Sequence, residues 1–327
     1  MKVAVSHALM PEGMELLKKT GAEIYIADSS DPYEYIEHIQ ESDILILRMG
    51  EFRRPIIEKC RNLKAIGITG IGYDHVDVTA ATEYGIPVII TPGANQHCVA
   101  ETVIAYIMAF SKNLFRQSQE LHAGHWEYRD EGKGFELFGK TVGFIGCGKI
   151  ASSTIAVCNA LGMKTIGYDI LGREQAEKAG CEYRDSMDDI FRESDFVSIH
   201  VTLTPETRNL VTAKQLELMK PSAYLINIAR GPIVNEHDLC DALNNDRIAG
   251  AAVDVFCVEP TRPEDPIFKA KNLITTPHTA GIAKEAITRM STMCVEGCNE
   301  VAHGRPSWQA VDQRVFEHPR FKALSEK

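Results

Sequence analysis

The chain has 327 residues, of which 44% are hydrophobic and 24% charged, and its net charge is −10. These values describe an ordinary globular protein with room for two domains. The acidic balance, with no concentrated basic face, argues against nucleic acid or an anionic membrane as a partner. No uninterrupted apolar run approaches the ~18 residues of a membrane span, and the nine scattered cysteines form no C-x-x-C pair. They read as reduced, packed thiols of a cytoplasmic protein, and no metal ligand set is assigned.

The opening run Lys2–Ser6 soon meets Pro11 and Glu12, so it reads as a first strand and not as a secretion signal. Further β-rich runs follow at Glu23–Ala27, Ile44–Leu47, Ala65–Thr69 and Val88–Ile90. Amphipathic stretches at Pro11–Thr20, Pro32–Ile39 and Arg54–Lys59 separate them. Such alternation predicts a parallel sheet covered by helices. Residues 99–121 read as one long helix, apolar early and polar late, stopping before Ala123-Gly124.

A second βα series starts at Lys140. Strands are predicted at 141–146, 164–169, 181–183, 196–201, 223–229, 249–255 and 273–277, with helices at 149–161, 187–193, 212–219 and 235–245. A last helix over 283–303 precedes a polar tail, and the pattern alone leaves its docking place open. With two domains filling these residues, no appended regulatory domain is expected within them.

The segment Thr141–Ala151 reads T-V-G-F-I-G-C-G-K-I-A, a strand running through Gly146, Gly148 and Ala151 into a helix. Asp169 closes the next strand at the distance a dinucleotide-binding unit requires. Gly146 permits the tight turn, Gly148 lets backbone approach a pyrophosphate, and small Ala151 lets the helix pack closely. The helix N-terminus then faces the phosphates. Asp169 suits the two adenosine ribose hydroxyls and opposes a 2′-phosphate, so NAD is the expected cofactor. Arg173 could soften that repulsion, although an arginine there reads more simply as a solvated charge at a helix start.

Three later clusters each end a predicted strand. Asn227-Ile228-Ala229-Arg230-Gly231 offers a guanidinium fork suited to a carboxylate or a polarised carbonyl. Val253-Asp254-Val255-Phe256-Cys257-Val258-Glu259-Pro260 offers acids, and Thr275-Thr276-Pro277-His278 offers an imidazole. A carboxylate beside a histidine fixes its ring for proton transfer.

Together these motifs make the chain resemble the D-isomer-specific 2-hydroxyacid dehydrogenases, which include phosphoglycerate, glyoxylate/hydroxypyruvate and D-lactate dehydrogenases. The resemblance runs from about residue 40 to 303. It also includes His200-Val201-Thr202-Leu203-Thr204, Gly70-Ile71-Gly72-Tyr73-Asp74-His75-Val76-Asp77, and Thr91-Pro92-Gly93-Ala94-Asn95 with Val99-Ala100-Glu101. The implied fold is α/β, with two Rossmann-like domains: a doubly wound cofactor domain at 100–283 and a smaller, discontinuous, flavodoxin-like substrate domain at 1–99 and 284–327. Substrate would close a cleft between them, and cofactor domains would pair into a homodimer.

The resemblance implies Arg230, Glu259 and His278 as the catalytic set. It implies cofactor contacts at Gly146, Gly148, Lys149, Ile150, Asp169, His200, Val201, Thr202, Thr207, Ile228, Ala229, Arg230, Asp254, His278, Ala280 and Gly281. Substrate contacts would come from Arg230, His278, the backbone N–H groups of Thr69, Gly70, Ile71 and Gly72, and Arg48. One or more of Arg48, Arg53 and Arg54 would reach an anionic far end of the substrate. Tyr73 would line a pocket or simply pack as a turn aromatic. Thr202 stands where many members have proline, and Ala151 where the fingerprint often has glycine. The expected activity is reversible hydride transfer between NADH and a 2-oxo acid. Alternatives are a redox-sensing, corepressor-like NAD(H)-binding protein or a phosphite-type dehydrogenase. Formate dehydrogenases place glutamine where this chain has Glu259.

Overall fold

The computed structural model describes residues 1–325. The chain divides into two compact units, one of residues 1–95 with 282–327 and one of residues 96–281. Both crossings lie a few residues from the expected borders. The helix Gln96–Ser111 begins at the first crossing, so a border at 99/100 would have cut it.

The first unit carries a parallel sheet of β1 (Lys2–Val5), β2 (Glu23–Ile26), β3 (Ile44–Leu47), β4 (Ala65–Ile68) and β5 (Val88–Ile89). Their order is β2-β1-β3-β4-β5, the flavodoxin-like winding. β3 is four aliphatic residues, all buried, as a strand covered on both faces must be. The last long helix, Lys284–Ala302, returns to this unit and packs on β4 and the helix Pro11–Lys19. Gly67 makes that approach possible. A Cβ there would lie 2.6 Å from Cys294 Sγ and against Cys298 Sγ as well.

The second unit holds β6 (Thr141–Ile145), β7 (Lys164–Tyr168), β8 (Glu182–Tyr183), β9 (Phe196–Ile199), β10 (Tyr224–Asn227), β11 (Gly250–Val253) and β12 (Leu273–Thr275). All pair in parallel, in the order β12-β11-β10-β9-β6-β7-β8. This is a doubly wound sheet whose order reverses between β6 and β9. Two apolar cores flank it. One is built around Phe144, Val142 and the helix Lys149–Ala160, the other around Phe191, Leu225 and the helix Glu236–Asn244. No single helix among the described residues is long and apolar enough to cross a membrane.

Two expectations need correction. The single helix over 99–121 is two helices, Gln96–Ser111 and Leu114–His122, bent by 57°. Asn113 breaks the run with φ +50°, and its amide donates to Tyr128 Oη at 3.0 Å. Asparagine tolerates that left-handed conformation and satisfies its own amide there. The polar tail is also structured, as a 3₁₀ turn at Gln313–Glu317 and a helix at Pro319–Ser325. Val315 and Phe321 are buried in the first unit, and Arg320 donates to the carbonyls of Tyr84, Arg61 and Leu63. Charge along the tail concealed this anchoring. The nine cysteines form no disulfide.

Gly67→Ala is expected to lower stability by about 1–3 kcal/mol through overpacking. An unchanged urea midpoint would mean the helix Lys284–Ala302 yields freely at that contact.

Candidate active site in the second unit

The glycine loop sits at the strand-order reversal. Gly146 follows β6 with φ +88°, and a Cβ there would lie 2.8 Å from the His200 carbonyl and 2.9 Å from Val201 Cγ1. Only glycine fits, because both the backbone conformation and the space forbid a side chain. Gly148 faces open space and caps the helix Lys149–Ala160 without side-chain help. That leaves the first-turn N–H groups, starting with Lys149 and Ile150, directed outward as a phosphate cradle. Ala151 is fully buried in the helix–sheet contact.

Asp169 accepts the Cys147 N–H at 2.7 Å on one oxygen and the Leu171 N–H at 2.9 Å on the other. Each oxygen keeps a lone pair, so the carboxylate is preset to receive two hydroxyls. Arg173 starts the helix Arg173–Ala179, pairs with Glu177 at 3.5 Å and lies over the Tyr183 ring. It is occupied as a helix-start charge, the plainer of its two readings.

His200 adds its backbone wall beside Gly146, but its ring turns inward, with Nε2 2.8 Å from Ser198 Oγ. Burial pushes its pKa down to about 3, so it is a neutral core histidine. Thr207 Oγ1 donates to the Thr202 carbonyl at 2.7 Å and accepts the Thr204 N–H at 2.7 Å. The hydroxyl closes the 202–207 turn that follows β9.

The remaining groups come from the ends of β10, β11 and β12. Asn227, 1% exposed, accepts the Ala229 N–H at 3.1 Å and donates to the Arg230 carbonyl at 3.0 Å. The Ile228–Arg230 turn is thereby folded around one buried amide, and Arg230 leaves it half-buried. Gly231 has no room for a side chain, since its Cβ would overlap the Phe256 backbone. The arginine turn is pressed against the strand-end segment that leads to Glu259.

Asp254, 1% exposed, accepts Thr276 Oγ1 at 2.5 Å, the Thr279 N–H at 2.8 Å and the Ala280 N–H at 2.8 Å. Because Thr276 spends its proton on Asp254, the Tyr106 hydroxyl must donate to Thr276, at 2.5 Å. Burial holds that phenol neutral, with its pKa raised to about 12. Asp254 therefore clamps the 276–280 segment, and its carbonyl takes the His278 N–H at 2.8 Å. His278 sits at φ +53°, a conformation a histidine holds only when its surroundings fix it. Ala280 is buried beneath it, its carbonyl accepting Thr102 Oγ1 at 3.1 Å, and Gly281 ends the unit.

His278 Nδ1 lies 2.6 Å from Glu259 Oε2, while Glu259 Oε1 accepts the Phe256 N–H at 2.9 Å. Burial pulls the Glu259 pKa up, but the His278 and Phe256 hydrogen bonds and the charges of His278 and Arg230 bring it below the usual glutamate value. Arg230, Glu259 and His278 thus form one electrostatic group, with His278 Nε2 facing away from the carboxylate. The arrangement can hold a carboxylate and pass a proton.

A family model for the D-isomer specific 2-hydroxyacid dehydrogenase NAD binding domain matches residues 104–280. The chain belongs to this family. It is 37% identical over 314 residues to a D-3-phosphoglycerate dehydrogenase of Methanocaldococcus jannaschii, covering 95% of this chain and 59% of that protein. A glyoxylate reductase of Aeropyrum pernix is 35% identical, with 97% of each chain covered. The NAD-complexed D-isomer specific 2-hydroxyacid dehydrogenase of Lactobacillus delbrueckii ssp. bulgaricus superposes with TM-score 0.79 at 26% identity, over 95% of this chain and all of that one. The chain spans only about three-fifths of the length of the phosphoglycerate dehydrogenases it matches. Residues 104–280 are accordingly the family's NAD-binding domain, and the N–H donors beyond Gly148 together with the Asp169 carboxylate acceptor fit that cofactor.

The other expected substrate contacts fall in the first unit. The Thr69 N–H donates to the Leu47 carbonyl and the Gly70 N–H to the Ile68 carbonyl. Two of the four loop amides are therefore spent on the fold, while among the described residues the Ile71 and Gly72 N–H groups make no backbone hydrogen bond. Arg53 pairs with Glu51, and Arg54 pairs with Glu83 at 2.7 Å. Tyr73 packs against the first unit's core as a turn aromatic. Asn227, Thr276 and Tyr106 carry positioning work that their letters alone did not announce, although a buried-strand asparagine before a turn is a readable signal.

The depressed Glu259 pKa stabilises the fold above the ordinary glutamate range, and that contribution disappears as acidification passes down through the lowered value. In Glu259→Gln, stability between pH 5 and pH 3 should therefore fall less steeply than in the parent, read as urea midpoints across that range. Parallel profiles would show that the pair with His278 contributes nothing to folding.

Proposed function

We propose that this chain is an NAD-dependent D-2-hydroxyacid dehydrogenase that interconverts a 2-oxo acid and its D-2-hydroxy acid. The observation that carries the reading is the 2.6 Å contact between His278 and Glu259, with the Arg230 charge acting on the same carboxylate. The guanidinium fork of Arg230 binds the substrate carboxylate and polarises the C2 oxygen. His278 Nε2 delivers a proton to that oxygen during reduction and recovers it during oxidation. Glu259 keeps Nδ1 protonated and the ring in line. When bound, the nicotinamide supplies or accepts the hydride at substrate C2. NAD is preferred over NADP, because Asp169 opposes a 2′-phosphate.

Substrates of the phosphohydroxypyruvate, hydroxypyruvate and glyoxylate type are assigned, in keeping with the names of the relatives. Glu259 separates the chain from formate dehydrogenases, whose acid partner is a glutamine. The decisive assay follows NADH and NADPH oxidation over a panel of 2-oxo acids. Turnover is expected with NADH favoured, and His278→Ala should lower kcat by about 10²–10⁴-fold while NADH still binds. NADH binding with no turnover of any 2-oxo acid would instead favour a redox-sensing, corepressor-like protein, and retained turnover in His278→Ala would remove the histidine's role.

The same proposal includes a homodimer through the second unit. Support comes from Leu114, Phe115, Leu121, Trp126 and Phe138, large apolar side chains exposed on one stretch of that unit. Sedimentation should give twice the 36.3 kDa of one chain, and a monomeric mass at micromolar concentration would refute it.

A further inference from the structure

The dinucleotide loop carries a thiol that the cofactor chemistry above does not use. Cys147 stands between Gly146 and Gly148, fully buried, with its backbone engaged on both sides. Its N–H donates to Asp169 at 2.7 Å, and its carbonyl accepts Gln175 Nε2 at 2.8 Å. Cys181 stands just before β8, after the Gly180 turn that ends the helix Arg173–Ala179, and is 5% exposed. Although the two cysteines are 34 positions apart in sequence, their sulfurs lie 3.9 Å from each other. They meet over Gly167 of β7, the strand between β6 and β8. A Cβ there would stand 2.5 Å from Cys181 Sγ and 2.7 Å from Cys147 Sγ, so only glycine leaves the space the pair occupies.

The surroundings set the pair up for thiol chemistry. The Cys181 thiol donates to the Ala176 carbonyl at 3.4 Å, which leaves its sulfur free to accept the Cys147 thiol. That hydrogen bond holds the Cys181 pKa below the ordinary thiol value and, together with burial, raises that of Cys147. Cys181 therefore ionises first, and a thiolate is the reacting form in sulfur oxidation. Ala176 covers the sulfurs from the helix Arg173–Ala179, in which only Ala176 and Ala179 are buried. The turn leading into that helix leaves Ile170 90% and Leu171 74% exposed. So short an element with so few buried contacts opens locally, and a small oxidant enters by that opening.

We infer that Cys147 and Cys181 form a disulfide site that a hydroperoxide oxidises, and that closing the bond releases the dinucleotide. The Cys181 thiolate attacks one peroxide oxygen and breaks the O–O bond, leaving a sulfenic acid and, after protonation, one water. The Cys147 sulfur then attacks the Cys181 sulfur, and its proton leaves with the sulfenic oxygen as a second water. Two thiols are oxidised and one peroxide is reduced. An S–S bond is about 2.05 Å long, so about 2 Å of separation must vanish between sulfurs held by different elements. Closure draws the glycine loop toward Cys181, away from the Asp169 carboxylate that its N–H holds and from the His200 carbonyl it lies on. The inference rests on this loop holding the cofactor and is independent of the substrate.

The test takes the full chain, completely reduced, before and after treatment with hydrogen peroxide. Peptide mapping of the treated chain should find Cys147 joined to Cys181, and NADH affinity by fluorescence titration should fall about tenfold or more. Dithiothreitol should restore that affinity, and saturating NADH should protect the pair from joining. Cys181→Ser, with a melting curve to confirm folding, should keep the affinity of the reduced parent after peroxide. The mapping reads the parent chain and does not depend on how the variant folds. Cys147 and Cys181 still reduced when the exposed Cys257 is already oxidised would overturn the site. So would a joined chain that binds NADH as tightly as the reduced one, or an equal loss of affinity in Cys181→Ser. A pair that joins in a chain whose reduced form binds no NADH would uphold the disulfide and reject the cofactor reading.

Discussion

The second unit's chemistry depends on one buried carboxylate. Asp254, at the end of β11, gathers a threonine hydroxyl and two backbone N–H groups from the segment after β12. A buried anion is tolerable only when its oxygens are fully engaged, and here three donors meet that demand. The consequence is a rigid 276–280 segment on which His278 is held at a positive φ, with Nδ1 against Glu259. Local strain of roughly 1–3 kcal/mol at such a residue persists only where its surroundings over-determine it. Asp254 supplies that over-determination, and Tyr106 extends it through Thr276 into the core.

Close approaches of backbone do the complementary work. Gly146 lets the glycine loop lie on the His200 carbonyl, and Gly231 lets the arginine turn lie on Phe256. Any larger residue at either place would push a loop away from the strand end it touches. Asn227 folds the arginine turn from within by bonding both Ala229 and Arg230. Glycines thus set distances and buried side chains set angles, leaving Arg230, Glu259 and His278 as one coupled group.

The two sheets share a rule although their strand orders differ. Each reverses once, and in each the residues after the flanking strands carry polar chemistry that the interior does not consume. Around β6 and β9 this is the glycine loop with its outward helix N-terminus. Around β1 and β3 it is a histidine, a guanidinium that no carboxylate pairs among the described residues, and a buried hydroxyl with no partner among them. Reversal splays the crossover connections apart, which opens a crevice only at the carboxyl ends.

Much of this was legible in the linear chain. Alternating β-rich and amphipathic runs gave both parallel sheets to within a residue or two per strand, because apolar runs bounded by glycine and polar turns have few other solutions. The dinucleotide loop with its distant Asp169, and the chemical types of Arg230, Glu259 and His278, were equally plain, since spacing along a strand–turn–helix is local information. What tertiary structure decided was nonlocal. Asn113 broke a helix whose apolar periodicity ran straight through it, and the charged tail docked through Phe321 and the Arg320 hydrogen bonds. Packing turned the His200 ring inward, spent the Thr69 amide on the neighbouring strand and the Gly70 amide on a tight turn, and paired Arg53 and Arg54 with acids while, among the described residues, leaving Arg48 without one. Residue type states what a side chain is able to do. Which partner reaches it first is settled only when distant strands are laid side by side.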